Sequence, residues 1–190
     1  MRDLPEGYAL SLGDTDDIPA LIAVDKAASA LFAPTGLVEE EALDDHVPAD
    51  IFEQAMAVGD VIAVYNHHGW PVGFALFSVR GNGLYLDQVS VHPDHGKQGL
   101  GRALVYAVIA EAEARRLSHV SLSTFRDLPW NGPFYASLGF EEMDRSKMEP
   151  YMLEIEEAQR GHMDLSARCF MRRKVRSALM RLVMPWRKSE

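Results

Sequence analysis

Between Leu86 and Leu104 the sequence passes from a strand pattern, through a glycine-rich turn, straight into an amphipathic helix. Gly96, Gly99 and Gly101 let the backbone approach a ligand without side-chain obstruction. The helix that follows places Leu104, Val105, Val108, Ile109 and Ala112 on one face, so it must lie against an apolar surface. Its free N–H groups and the positive end of its dipole point into the turn, an arrangement that favours an anion. A plain strand-to-helix turn has the same outline, so the pattern alone leaves both readings open. Two nucleotide-binding loops are excluded. A Walker loop requires Gly-Lys-Ser/Thr, which is absent, and the dinucleotide fingerprint requires Gly or Ala at 104 and an acid near 121, where the chain has Leu104 and Ser121.

The periodicity on either side completes a fold class. Tyr8 to Leu12 reads as an opening strand, and Thr15 as the cap of a helix that repeats Ile18, Leu21, Ile22 and Ala28, with Asp25 on the same stripe. Residues 33 to 48 are acidic and irregular, and a second helix is expected over Ala49 to Val58. Val61–Tyr65, Val72–Phe77 and Leu84–Val91 then alternate as three consecutive strands joined by tight turns. After the helix from Leu100 to about Arg116 come a strand at Val120–Thr124, a short helix from Pro133 closed by Gly139, and a helix from Pro150. A last strand is expected around Ala167 to Met171. Consecutive strands followed by strand-helix-strand units predict a mixed α/β sheet with helices on both faces.

Composition narrows the function. The 190 residues suit one domain of about 150 residues or slightly more, and 47% hydrophobic with 25% charged residues is ordinary for a globular chain. The single cysteine, Cys169, excludes an internal disulfide framework and a four-cysteine zinc site. No helical His-Glu-x-x-His spacing occurs, so no metal is expected. The longest uninterrupted apolar run, Ala103 to Ala110, is far shorter than the ~20 residues that span a bilayer. The start lacks the apolar core of a signal peptide, and a cytoplasmic location is expected. The net charge of −9 is unevenly spread. Eight of the 19 bases lie in the last 23 residues beside one acid, so 11 bases face 27 acids before Arg168, a net of −16. Such a body repels nucleic acid and steers cations inward, so any anion it binds is held by local geometry.

Val91-His92-Pro93-Asp94 followed by Gln98-Gly99-Leu100-Gly101-Arg102-Ala103-Leu104 resembles the acetyl-CoA loop of the GNAT superfamily of N-acetyltransferases. A second block, Asn131-Gly132-Pro133-Phe134-Tyr135-Ala136-Ser137-Leu138-Gly139-Phe140, is similar to that family's segment running from Asn through Phe/Tyr to Gly-Phe, one helix and one strand further on. The resemblance covers roughly Tyr8 to Phe140. It implies a mostly antiparallel central sheet of six to seven strands, with acetyl-CoA as co-substrate. One departure stands out: the family's first loop position, Gln or Arg, is Gly96 here, which leaves local positive charge to Lys97 and Arg102.

The resemblance also implies roles. The fourth and fifth strands part, and the pantetheine arm pairs with backbone near Val89, Ser90 and Val91. The loop Gly96, Lys97, Gln98, Gly99, Leu100, Gly101, Arg102 and Ala103 holds the pyrophosphate, with Asn131 and Phe134 completing the coenzyme site. Asn131 serves equally well as a helix cap. Tyr135 falls at the tyrosine that protonates the departing thiolate, a role its ordinary pKa near 10 suits. Asp87, expected on one strand face with Tyr85, Val89 and Val91, is the preferred base or water anchor. Asp25, Arg126 and Trp130 are candidate acceptor contacts, with Arg126 paired either to Asp127 or to a substrate carboxylate.

The expected activity is therefore acetyl transfer from acetyl-CoA directly to a primary amine of a small molecule. The alternatives are a non-catalytic acyl-CoA-binding module and a protein N-terminal or lysine acetyltransferase. Residues 1–174 form the domain, and 175–190 a basic amphipathic tail expected to dock on the domain or on a homodimer mate rather than on a membrane.

Overall fold

The structure is a computed structural model that describes residues 4–175. Seven strands form one sheet: β1 (Tyr8–Leu12), β2 (Val61–Asn66), β3 (Pro71–Arg80), β4 (Gly83–Val91), β5 (His119–Phe125), β6 (Glu141–Glu142) and β7 (Arg168–Lys174). Their order is β1-β2-β3-β4-β5-β7-β6, and every neighbouring pair is antiparallel except β4 and β5. Among the described residues five α-helices cover it: α1 (Ile18–Ser29), α2 (Ala49–Ala57), α3 (Leu100–Ala114), α4 (Gly132–Ser137) and α5 (Pro150–Gln159). The expected elements are present to within a few residues, and the two-residue β6 is an addition. The expected tail helix lies outside the described residues except for Val175, whose N–H donates to the Ser118 carbonyl at 2.9 Å.

Alternation along the strands divides the core between two faces. On one, Ile62, Val64, Ala75, Phe77, Leu84 and Leu86 pack with Leu104, Val105 and Val108 of α3. On the other, Val61, Ala63, Phe74 and Leu76 meet Ile18, Leu21 and Val24 of α1 and Phe52 of α2. Tyr85, Met152 of α5 and Phe170 extend that second face toward β7. Residues 15–35 form a helical stretch long and apolar enough to cross a membrane by composition. Here its inner side packs on the sheet and carries a carboxylate bonded to β4, which marks a core helix.

That carboxylate is Asp25. It is 2% exposed and accepts three hydrogen bonds, from Ser90 Oγ at 2.6 Å, Gln88 Nε2 at 2.7 Å and the Val47 N–H at 3.0 Å. The position expected to contact substrate is thus a tie between α1, the chain leading to α2, and β4. The start of α1 differs in a smaller way. Asp14, not Thr15, accepts the Asp16 N–H and closes a short 3-10 turn before Ile18, because a one-carbon carboxylate reaches the amide two residues on.

Removing the Asp25 carboxylate takes the acceptor from the buried Ser90 hydroxyl and from the part-buried Gln88 amide and Val47 N–H, at a cost of about 1–3 kcal/mol for a donor left buried and unmet. Asp25→Ala is therefore expected to lower the unfolding free energy by about 2–4 kcal/mol, read from urea denaturation. A variant as stable as the wild type would show that the tie is dispensable.

Candidate functional site

The site begins where two strands part. Strands β4 and β5 pair in parallel only at Gly83–His119, Leu84–Val120 and Tyr85–Ser121, and then diverge. On its other edge β4 stays paired with β3 to Val91. The His92 N–H donates to the Val72 carbonyl at 2.9 Å. Backbone groups alternate in direction along an antiparallel strand, so Ser90 and Gln88 also face β3, and Val89 and Val91 turn their amides toward the gap. Val89 and Val91 thus line the gap with their backbone groups. Ser90 instead bonds β3 through its backbone and Asp25 through its hydroxyl.

A β-bulge sits in the middle of β4. Leu76 opposes Gln88 and Phe77 opposes Leu86, which leaves Asp87 as the extra residue. The bulge breaks the alternation expected from the sequence. Tyr85 shares its face with Gln88 and Ser90, not with Val89 and Val91, and Asp87 stands out of the ladder. Its side chain reaches solvent, but the protein around it limits hydration. That loss of hydration, with repulsion from Asp60 and against attraction from Arg80, pushes the Asp87 carboxyl up to about 6.

At the end of β4 the chain turns through His92 to Gly99 into α3. Gly99 has φ +86°, the left-handed region open to glycine, and Lys97 adopts φ +60° despite its side chain. The first bond of the helix runs from the Ala103 N–H to the Gly99 carbonyl at 3.0 Å, so the amides of Leu100, Gly101 and Arg102 have no partner within the helix. A Cβ built on Gly101 would lie 3.9 Å from Phe134 Cζ and 4.0 Å from Val91 Cγ2. The start of α3, the end of β4 and α4 therefore meet at one point. Arg102 crosses to α4, 6.0 Å from the Phe134 ring centre and 3.1 Å from Ser137 Oγ.

Asn131 precedes α4 but does not cap it through its side chain. Its Nδ2 donates to Thr124 Oγ1 at 2.9 Å, while Oδ1 is buried without a partner. Tyr135 packs between Phe134 and Phe140, with ring centres at 5.1 and 5.7 Å. Burial pushes its hydroxyl up to about 12, against the pull of the Arg168 charge, so it stays protonated at working pH. Burial also pushes the Cys169 thiol up to about 11, which removes it as a ready thiolate.

Open amides at the head of a helix, two valine amides facing a gap, and a buried amide oxygen without a partner fit a long ligand with a phosphate group and amide N–H groups. Coenzyme A has both, and the residues present suit it. No group of three or more potential metal ligands occurs among the described residues.

On the opposite face the acceptor candidates separate. Arg126 pairs with Glu142 at 3.1 Å and bonds the carbonyls of Ser166 and Arg168, not Asp127. Trp130, 45% exposed, lies 6.4 Å from the Phe32 ring, and Phe32 in turn lies 5.6 Å from Phe125. Sequence reasoning missed Phe32, which sits in the irregular stretch after α1. It also missed Arg168, whose signal was a lone cation opening the otherwise apolar Cys169-Phe170-Met171.

Residues 27–140 match the family model of the acetyltransferase (GNAT) family, and the chain belongs to that family. It is 31% identical over 121 residues to a mycothiol acetyltransferase from Clavibacter michiganensis subsp. michiganensis, a match spanning 64% of this chain and 38% of that protein. Among solved structures it resembles the PaiA N-acetyltransferase of Thermoplasma acidophilum in complex with coenzyme A. That likeness has a TM-score of 0.67 at 14% identity over 88% of this chain and 98% of the other. The ribosomal-protein-S18-alanine N-acetyltransferase of Escherichia coli aligns with a TM-score of 0.63 at 22% identity, over 93% of this chain and 99% of the other.

An added side chain at Gly101 meets only ordinary contacts but stands among the open amides. Gly101→Val should melt within a few degrees of the wild type and bind acetyl-CoA at least about tenfold more weakly, the loss of one or two well-placed hydrogen bonds. Unchanged affinity by calorimetric titration of the folded variant would remove this turn from the coenzyme site.

Proposed function

We propose that the protein transfers the acetyl group of acetyl-CoA directly to a primary amine of a small molecule. The parting of β4 from β5 supports this most strongly, because it leaves the Val89 and Val91 amides facing a gap; the open start of α3 and the buried, unpartnered Asn131 oxygen add to that support. Acetyl-CoA supplies a thioester, an acyl group activated toward amines. Backbone N–H groups at Val89 or Val91 stabilise the charge that develops on the thioester oxygen. Asn131 Oδ1 accepts an amide N–H of the pantetheine arm, and the α3 amides with Lys97 and Arg102 hold the pyrophosphate.

Two side chains move protons in this reading. The Tyr135 hydroxyl gives its proton to the departing sulfur. Asp87, ionised above about pH 6, takes the proton of the incoming amine directly or through water. The Cys169 thiol has no part in direct transfer, in keeping with its raised pKa.

The test is coenzyme binding followed by thiol release from acetyl-CoA across a panel of amines. Binding with no release on any amine would favour an acyl-CoA-binding module instead. Tyr135→Phe keeps the packing ring and should lower kcat by about 10²–10⁴, the usual range for a lost general acid, with little change in coenzyme affinity. Wild-type kcat in this variant would leave the proton to water. Burial raises the Asp87 carboxyl, so its basic form is lost as pH falls through about 6. The kcat/KM profile should therefore drop on the acid side near 6. Asp87→Asn should abolish that limb, and its defect should shrink at higher pH, where more of the amine arrives neutral. An unchanged acid limb would remove Asp87 from the chemistry.

A further inference from the structure

A cavity of about 560 Å³ opens on the face of the sheet away from α3, between β5, β7 and α5. The chain after α1 closes over this side. Val38 pairs with Met163, the Glu39 N–H donates to the His162 carbonyl at 3.0 Å, and the Asp164 N–H donates to the Leu37 carbonyl at 3.0 Å. The cavity is lined by both signs of charge, and each carboxylate in its wall has a cation. Glu142 holds Arg126 at 3.1 Å, Asp144 holds Lys147 at 3.1 Å, and Glu156 holds both terminal nitrogens of Arg145 at 2.8 and 2.9 Å.

Arg168 is the cation left over. Its guanidinium is half-buried, lies 4.7 Å above the centre of the Phe125 ring, and donates to Ser123 Oγ at 3.0 and 3.3 Å. Among the described residues no carboxylate pairs with it. Stacking on Phe125 and the hydroxyl hold the fork in place but leave its charge unbalanced, and burial makes that charge costly. Arg168 stands on β7, across β5 from the gap, and its side chain reaches over β5 to Ser123 and Phe125; its charge also acts on Tyr135 and Tyr85.

We propose that Arg168 receives a carboxylate of the acceptor, so that the amine acetylated by this protein belongs to an amino acid or a similar carboxylate-bearing small molecule. This rests on the acetyl-transfer reading above and specifies its substrate class. The Ser123 hydroxyl takes the Nε and Nη2 edge of Arg168, and the outer Nη1 and Nη2 N–H groups match a carboxylate with two parallel donors. A peptide N-terminus presents an amide carbonyl at that position and leaves the guanidinium without a counter-charge. The acidic body therefore attracts the ammonium of such a molecule, while one local cation sorts it by its other end.

The experiment compares the twenty L-amino acids with their carboxamides and the matching decarboxylated amines, in a thiol-release assay with acetyl-CoA. It uses the wild type, Arg168→Gln and Arg168→Lys. The wild type should favour the best acid over its carboxamide by about 10–10²-fold in kcat/KM, the scale of a charge-assisted hydrogen bond pair. Arg168→Gln should erase that preference by raising KM for the acid, with kcat/KM on the carboxamide moving less than about threefold and acetyl-CoA affinity unchanged. Arg168→Lys should keep part of the preference, which also covers the case of a poorly folded Gln variant. Equal use of acid and carboxamide by the wild type, or equal loss on both in Arg168→Gln, would overturn the assignment. Thiol release with no amine would sink acetyl transfer itself. In that event, titration of the coenzyme-A-loaded protein with N-acetylamino acids still decides on Arg168. Binding that is lost in Arg168→Gln supports the site, and no binding of any carboxylate refutes it.

Discussion

Strand β4 keeps β3 along its full length on one edge and loses β5 after three residues on the other. Peptide groups away from water need partners, and each one left without costs about 1–3 kcal/mol. A gap of this kind is therefore stable only when solvent or an extended ligand can occupy it. The rest of the architecture keeps it open. The helix α3 packs against one face of β3 and β4, and α1 is bonded to the other face through Asp25. The strand that lines the gap is thus clamped from both sides while its free edge stays available.

The bulge at Asp87 contributes to the same arrangement. An extra residue in β4 increases its local twist and bends it away from a regular ladder, just after the last residue paired with β5. It also changes which side chains share a face, and it places a carboxylate outside the ladder at the bend. One inserted residue thus sets both the bend of the strand and the exposure of a carboxylate.

Much of this was legible in the sequence, and the part that was not has a common cause. The glycine turn, the helix after it and the Asn131–Phe140 block are local patterns, and local periodicity carried them through to α3, α4 and the meeting of Gly101, Phe134 and Val91. Asp87 was expected to share a face with Tyr85, Val89 and Val91, but the bulge parts Tyr85 from the two valines, because alternation presumes a ladder without insertions. Asp25, Arg126 and Arg168 depended on partners far along the chain. Asp25 meets Gln88 and Ser90, Arg126 meets Glu142, and Arg168 meets Ser123 and Phe125. No window of sequence contains those pairs, so a helix acid and a loop arginine looked free for substrate when the fold had already used them.

At its far edge the sheet ends in β6, two residues long and composed of Glu141 and Glu142, both exposed. An uncovered edge strand offers its amides to any other chain that can lie alongside. Here the offer is short, and the charge of Glu141, beside a Glu142 already paired with Arg126, repels a second copy of the same edge brought alongside. Assembly by joining sheets end to end is therefore discouraged at this side, and the acids that help give the body its negative charge also serve to keep one molecule from templating the next.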